Sequence, residues 1–282
     1  MLVKRQRVQL SGKQDQIGYR VAHGQFSNQL IMNQSIILTG ASGALGRGLA
    51  MHHASPGVSL CLWGRNPERL SDTCEAVRAV GAEAQPIIHD LSKAEAAILK
   101  LLDQDRVRPF DIAYLVAGLG DTRPPGEKAE DPMQVLRLAE VNFAAPAAMA
   151  AALAGRMAER GRGRIVLIGS AAGHHSLPFA AAYSGSKAGL ARFADALRLS
   201  VEPYGVSVTL AAPGFIKTPA GSSINSNRPM EITVEEAVRR IVRAAEQRRA
   251  HYITPWPFAA LKSFDALLPN WLRDRILTGL QK

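Results

Sequence analysis

The chain has 282 residues, 47% of them hydrophobic, a formal net charge of +10 at pH 7 and two cysteines, Cys61 and Cys74. That length and apolar content suit one large core with short appendages, and so few cysteines exclude a disulfide framework and fit a reducing compartment. The positive charge gathers at Lys4-Arg5-Arg7, at Arg156, Arg160, Arg162 and Arg164, and at Arg239, Arg240, Arg243, Arg248 and Arg249; with no nucleic-acid-binding motif beside it, it reads as a solvated basic surface rather than a nucleic-acid contact.

In chain order, residues 1–34 begin with basic residues but no apolar run follows, so they are not a secretory signal and read as a flexible arm. Met32 stands directly before the first strand and is an alternative translation start. Apolar runs predict strands at 35–39, 58–63, 84–88, 111–116, 163–169, 206–212 and 251–253; helical spacing predicts helices at 44–55, 67–80, 93–103, 131–160, 181–204 and 233–249. This alternation is the signature of a parallel sheet covered on both faces, with ligands bound at the carboxyl ends of its strands. The longest low-polarity run, 144–155, is too short to span a bilayer. Two long loops, 118–130 and 214–231, fall on the ligand side, and the second reads as a lid.

The division is therefore an N-terminal extension (1–34), a catalytic α/β domain (35–253) and a C-terminal tail (254–282). In the tail, Leu261, Phe264, Leu268, Trp271, Leu272 and Ile276 recur at near-helical spacing, and Pro269 splits the run into two short helices. With Lys262, Arg273 and Arg275 beside it, this stripe reads either as a membrane-surface helix pair over 256–280 or, slightly favoured, as a face packed on protein.

Two motifs carry chemistry. Tyr183 and Lys187 stand four residues apart, thirteen residues after Ser170. That spacing puts phenol and ammonium on one helix face, where the cation is expected to lower the tyrosine pKa. Far upstream, directly after Ile36-Ile37-Leu38, runs the glycine-rich turn Thr39-Gly40-Ala41-Ser42-Gly43-Ala44-Leu45-Gly46. A tight glycine turn between strand and helix points the helix N-terminus at a dinucleotide pyrophosphate.

Together with Val116-Ala117-Gly118, Asn142 and Pro213-Gly214, these pieces resemble the shorter-chain branch of the short-chain dehydrogenases/reductases, from about Ser35 to about Tyr252. Two positions depart from its pattern: Ala44 stands where a glycine is usual, tolerable in a helical backbone, and Val116 replaces the usual asparagine. The resemblance and the right-handed crossover rule imply a Rossmann-like doubly wound sheet of order 3-2-1-4-5-6-7. It implies Tyr183 as general acid/base, Lys187 as its partner and a ligand of the nicotinamide ribose, Ser170 on the substrate oxygen, and Asn142 supporting a water beside Lys187. Cofactor contacts are implied for Gly40, Ser42, Gly43, Leu45 and Gly46 at the turn. They are also implied for Asp90-Leu91 at the adenine, Ala117-Gly118 at its ribose, and Pro213, Gly214 and Thr218 at the carboxamide.

The end of strand two reads Leu62-Trp63-Gly64-Arg65-Asn66, without the acidic residue that accepts from an NAD ribose. Arg65 instead offers a planar fork to a 2′-phosphate, with Arg47 a secondary candidate, so NADP(H) is expected over NAD(H). No cysteine–histidine cluster has metal spacing, and no metal is expected; His174 and His175 read as loop residues near the site. The resulting expectation is an NADP(H)-dependent oxidoreductase interconverting a carbonyl and a secondary alcohol, cytoplasmic, acting on a small molecule, and a homodimer or homotetramer through the helices at 131–160 and 181–204. The competing readings are a nucleotide-sugar epimerase or dehydratase, for which about 30 tail residues are too few, and an NADP-binding sensor or scaffold, for which an acid/base tyrosine is superfluous.

Overall fold

In the computed structural model, the residues described are 34–120, 123–124, 126–218, 230–260 and 268–279; the expectations for 1–33, for the middle of the second loop and for 261–267 lie outside them. The first strand, β1 (Ser35–Thr39), is buried at every position, as a strand must be when helices cover both faces. Its side chains still alternate. Ile37 joins one apolar cluster with Trp63, Leu115, Leu153 and Leu190, while Ile36 and Leu38 join the other with Leu49, Leu60, Tyr114 and Val238. The sheet thus divides the core in two.

The remaining strands are β2 (Ser59–Gly64), β3 (Glu83–Ile88), β4 (Ile112–Leu115), β5 (Gly163–Ile168), β6 (Val206–Pro213) and β7 (His251–Thr254). All pair in parallel, and the seven-stranded order is β3-β2-β1-β4-β5-β6-β7. The order reverses between β1 and β4, so a crevice opens above their carboxyl ends. Helices α1 (Ala44–His53), α2 (Pro67–Ala79) and α3 (Ala94–Val107) follow the first three strands. Asn66 caps α2 through Arg69 N at 2.8 Å, with Pro67 at its first turn.

The helix expected over 131–160 is broken in register. Asp131 caps α4 (Pro132–Ala139), a π turn follows at Glu140–Ala144, and α5 (Ala145–Glu159) continues. The reason is Pro146. It has no N–H for the carbonyl of Asn142, and its ring would strike that carbonyl in an α-helix. The chain widens by one residue instead, with Ala145 N donating to Glu140 O. The 28 residues of Pro132–Glu159 are apolar enough to cross a membrane, but 56% of their most apolar window is buried; they cover the sheet. Helix α6 (Ala181–Val201) packs beside them, and α7 (Val234–Glu246) covers the opposite face.

Two of the arginines read as solvated turn inward. Arg160 grips the fully buried Asp105 of α3 with both forks, at 2.8 and 3.3 Å, and Arg156 adds Nε at 3.4 Å. Asp105 also accepts from Phe110 N at 2.9 Å. In the tail, residues 256–260 are helical, and α8 (Asn270–Gly279) begins directly after Pro269. Leu277 is buried, whereas Trp256 and Trp271 are 76% and 69% exposed.

Candidate active site

The turn between β1 and α1 is built around backbone. Gly40 takes φ +73°, and a Cβ there would lie 2.9 Å from Ala117 N. Gly46 passes so close to the turn that a Cβ would sit 2.1 Å from Gly40 O. Gly43 N donates to that same carbonyl at 3.0 Å. Gly43 is the extended residue before α1, and no side chain caps the helix, so no side chain of the turn occupies its first amides. Ala44 is the first helical residue; its methyl needs no left-handed backbone, so this departure from the family pattern is accommodated. Ser42 and Leu45 are half-buried in the turn.

Three neighbours pin this cradle: Thr39 and Gly64 stand in the motifs already named, while Thr73 has no local sequence signal. Thr39 Oγ1 accepts from Val116 N at 3.0 Å and Ala117 N at 3.2 Å, tying β1 to the end of β4. Val116, in place of asparagine, packs against an apolar cluster instead. Thr73 Oγ1 donates to Ala41 O at 3.1 Å from α2. Gly64 leaves room for Ser42, whose Oγ would be 2.9 Å from a Cβ there. Arg65 and Arg47 are exposed. Asp90 is held below the usual carboxylate range chiefly by the backbone N–H of Ser92, with smaller help from Arg65 and Arg137; Leu91 beside it is buried.

At the end of β4 the chain is clamped by Asn142. This fully buried amide accepts from Leu119 N at 2.7 Å and donates to Leu119 O at 2.9 Å. The π turn is what delivers it there. Its Nδ2 also lies 3.4 Å from Ser186 Oγ, which donates to Tyr183 O at 2.8 Å. Asn142 Oδ1 and Lys187 Nζ both lie close to Gly118, 3.2 and 3.3 Å from where a Cβ would be. A Cβ there would crowd both groups.

Ser170 lies two residues beyond β5 and caps a short 3-10 turn, Ala171–His174, by accepting from Ala172 N at 3.2 Å. It shares a side-chain hydrogen bond with Tyr183. Lys187 is buried and donates from Nζ to Ile168 O at 2.9 Å. Tyr183, Lys187, Ser170, Asn142 and Gly118 thus meet at the carboxyl ends of β4 and β5.

One expectation is corrected. The tyrosine was expected to be acidified by Lys187, but its pKa is raised. Loss of water on burial dominates, and the hydrogen bond from Ser170 only partly offsets it. Burial likewise lowers Lys187 to about 8, which leaves it mostly cationic at neutral pH.

At the end of β6, Gly214 N donates to Thr254 O at 2.7 Å. The ring of Phe258 fills the space of a Gly214 Cβ, with Cε2 2.3 Å from that point, and stands edge-on to Phe215 at 6.1 Å. Pro213 is buried in the strand and Thr218 is half-buried beyond it. The stems of the second loop are joined by Lys217 N to Ile232 O at 2.9 Å and Ile232 N to Phe215 O at 3.0 Å. His174 closes the 3-10 turn after Ser170 and His175 follows it in an extended conformation, both half-buried. Among the described residues no group of three metal-ligating side chains occurs.

A glycine-walled cradle at a helix N-terminus, opening toward a serine, a tyrosine and a buried lysine, defines a nicotinamide-dinucleotide oxidoreductase. The family model described as short chain dehydrogenase matches residues 34–229, and the chain belongs to the short-chain dehydrogenase/reductase family as an NAD(P)-dependent enzyme. It is 32% identical over 247 residues to an uncharacterized oxidoreductase of Myxococcus xanthus, covering 86% of this chain and 95% of that protein. It is 30% identical over 233 residues to a putative ketoacyl reductase of Streptomyces coelicolor, covering 81% and 88%. Among solved structures, a short-chain dehydrogenase from Sphingobium yanoikuyae in complex with NADPH superposes with a TM-score of 0.70 at 25% identity, covering 84% of this chain and 97% of that one.

Proposed function

We propose that this enzyme uses NADP(H) to interconvert a carbonyl and a secondary alcohol, with Tyr183 as general acid in reduction and base in the reverse direction. The observation that carries the reading is the Ser170–Tyr183 hydrogen bond beside the buried Lys187. The residues suit the cofactor. Gly40, Gly43 and Gly46 leave backbone free for the pyrophosphate, Ala117 and Gly118 for the ribose, and the exposed Arg65 reaches a 2′-phosphate where a carboxylate would repel it. Bound there, the nicotinamide supplies the hydride.

The protein supplies the proton and the position. Burial keeps the Tyr183 phenol protonated at neutral pH, which suits delivery of a proton to a carbonyl oxygen. Ser170 Oγ holds that oxygen and stabilises the negative charge it develops. Lys187 holds a cation beneath the site, and Asn142 fixes the Gly118–Leu119 backbone that bounds it.

The contact of Phe258 with Gly214 favours a tail packed on the catalytic face over one lying on a membrane. Exposed Met133, Leu136 and Leu199 supply apolar surface on α4 and α6 for a homodimer or homotetramer. Both cysteines are free thiols, in keeping with a cytoplasmic setting.

Fluorescence titration with NADPH and NADH tests the cofactor, and a carbonyl panel tests turnover. We expect NADPH to bind at least about tenfold more tightly than NADH, and Arg65→Ala to erase that preference. Tyr183→Phe should retain NADPH binding and lose at least about 100-fold in kcat. Equal affinities unaffected by Arg65→Ala overturn the NADP(H) assignment, and full turnover by Tyr183→Phe overturns the assignment of the acid.

A further inference from the structure

The helix that presents Tyr183 and Lys187 begins without a cap of its own. Ala180 precedes Ala181–Val201 and has no side-chain acceptor to offer, so the first-turn amides need a partner from elsewhere. That partner comes from the loop after β4. Glu130 Oε2 accepts from Ala182 N at 2.8 Å, across 52 residues of sequence. The next residue, Asp131, caps α4 through Met133 N at 3.1 Å. Two adjacent carboxylates therefore start two different helices. A second strut joins the same segments, with Arg123 N donating to Phe179 O at 2.8 Å. Arg123 Nη1 braces the loop internally on Lys128 O at 3.0 Å.

The near end of this loop is fixed as well, because Leu119 is held at N–H and carbonyl by Asn142. The β4–α4 loop is thus a strap. One end is anchored on the π turn, and the other on the amide immediately before Tyr183. The phenol stands in the first turn of α6, where an uncapped helix frays, and its bond to Ser170 needs that turn to hold still.

We infer that Glu130 is a positioning residue, which caps the catalytic helix and thereby holds the Tyr183 hydroxyl on Ser170. The inference rests on the reading of Tyr183 as the acid. A carboxylate at a helix N-terminus also complements the helix dipole, but the position of the acceptor oxygen is what matters here. Glutamine keeps an oxygen at the same reach and alanine keeps none.

The test compares full-length wild type, Glu130→Ala and Glu130→Gln, each with bound NADPH and with ring-13Cζ-labelled tyrosine. The Tyr183 line is identified by its loss in Tyr183→Phe. In Glu130→Ala we expect the Ala182 amide to exchange at least about tenfold faster and the Tyr183 line to broaden or double, with NADPH affinity unchanged. On the carbonyl most rapidly reduced in the panel, kcat should fall about tenfold at constant KM, as expected for a misplaced acid. Glu130→Gln should restore all of these.

An unchanged Ala182 exchange rate and a single sharp Tyr183 line in Glu130→Ala overturn the inference. So does a uniform fall of NADPH affinity, kcat and thermal midpoint that glutamine does not rescue, since that is a general loss of stability. Full turnover by Tyr183→Phe sinks the reading of the acid instead. A dead Tyr183→Phe beside an unaffected Glu130→Ala sinks the strap alone.

Discussion

Lys187 is the residue at which stability and function pull against each other. A cation with 5% of its surface exposed and a pKa lowered to about 8 is held where water cannot solvate it, and its hydrogen bond to Ile168 O only partly compensates. The sign of the pH effect follows. The folded pKa lies below the ordinary lysine value, so between about 8 and 10.5 the unfolded chain binds more protons than the native one, and native stability rises with pH across that window. Lys187→Met removes the titration, leaves Ile168 O without its donor, and removes the cation at the site. We expect the variant to lose at least about 100-fold in kcat yet to unfold at neutral pH no more easily than wild type. Denaturant unfolding at pH 8 and pH 10.5 should show wild type gaining stability and Lys187→Met gaining less. A parallel rise in both would show that Lys187 titrates as an ordinary solvated amine.

At the scale of elements, the strands and most helices follow directly from apolar periodicity. The fully buried β1, β4 and β6 are mostly apolar on both faces, with a few small hydroxyl residues such as Ser207 and Thr209, because no face of them meets water. The Tyr183–Lys187 pair and the glycine turn were legible because their chemistry depends on local spacing. What escaped depends on partners distant in sequence. Glu130 and Ala182 are 52 residues apart, and Asp105 and Arg160 are 55 apart, so no local pattern joins them. The π turn was within reach: Pro146 lies inside an otherwise helical run, and a proline four residues after an asparagine frees that asparagine's carbonyl. The basic cluster misled in the opposite way, because two of its arginines pair with a carboxylate that sequence does not mark as buried. Asp105 is a buried polar tie between the end of α3 and the end of α5. Asp105→Ala leaves two guanidinium groups and Phe110 N without their acceptor. Thermal or denaturant unfolding should register a loss of about 3–5 kcal/mol, and Asp105→Asn a smaller one, since its amide oxygen still accepts from Phe110 N. A loss under about 1 kcal/mol for Asp105→Ala would place the pair among weak surface bridges.

Over the whole molecule, acid should act first through α1. Its N-terminal end is the cofactor turn, and its C-terminal end carries His53, whose Nε2 lies 2.9 Å from the buried Tyr114 hydroxyl. Burial is the largest cause of a His53 pKa lowered to about 4, with the neighbouring His52 and Arg164 adding positive charge against protonation. Since the folded pKa lies below the ordinary 6.5, the unfolded chain takes up the proton first. The stabilisation is complete above pH 6.5 and is lost as pH falls toward about 4. Across most of that window the loss should be on the order of 2 kcal/mol. Asp90, Glu83 and Glu235, all held below the usual carboxylate range, give up their contributions only at lower pH. A chain already at +10 gains further repulsion with each proton. Because α1 connects the titrating end to the turn, loosening His53 should weaken cofactor binding along with stability, and saturating NADPH should oppose the acid effect by binding only the native state. His53→Gln keeps a hydrogen-bonding group for Tyr114 without an ionisable ring. Its denaturant midpoint should stay level between pH 6.5 and 4.5, where the wild-type midpoint falls. Equal slopes for the two proteins would assign the acid sensitivity to groups other than His53.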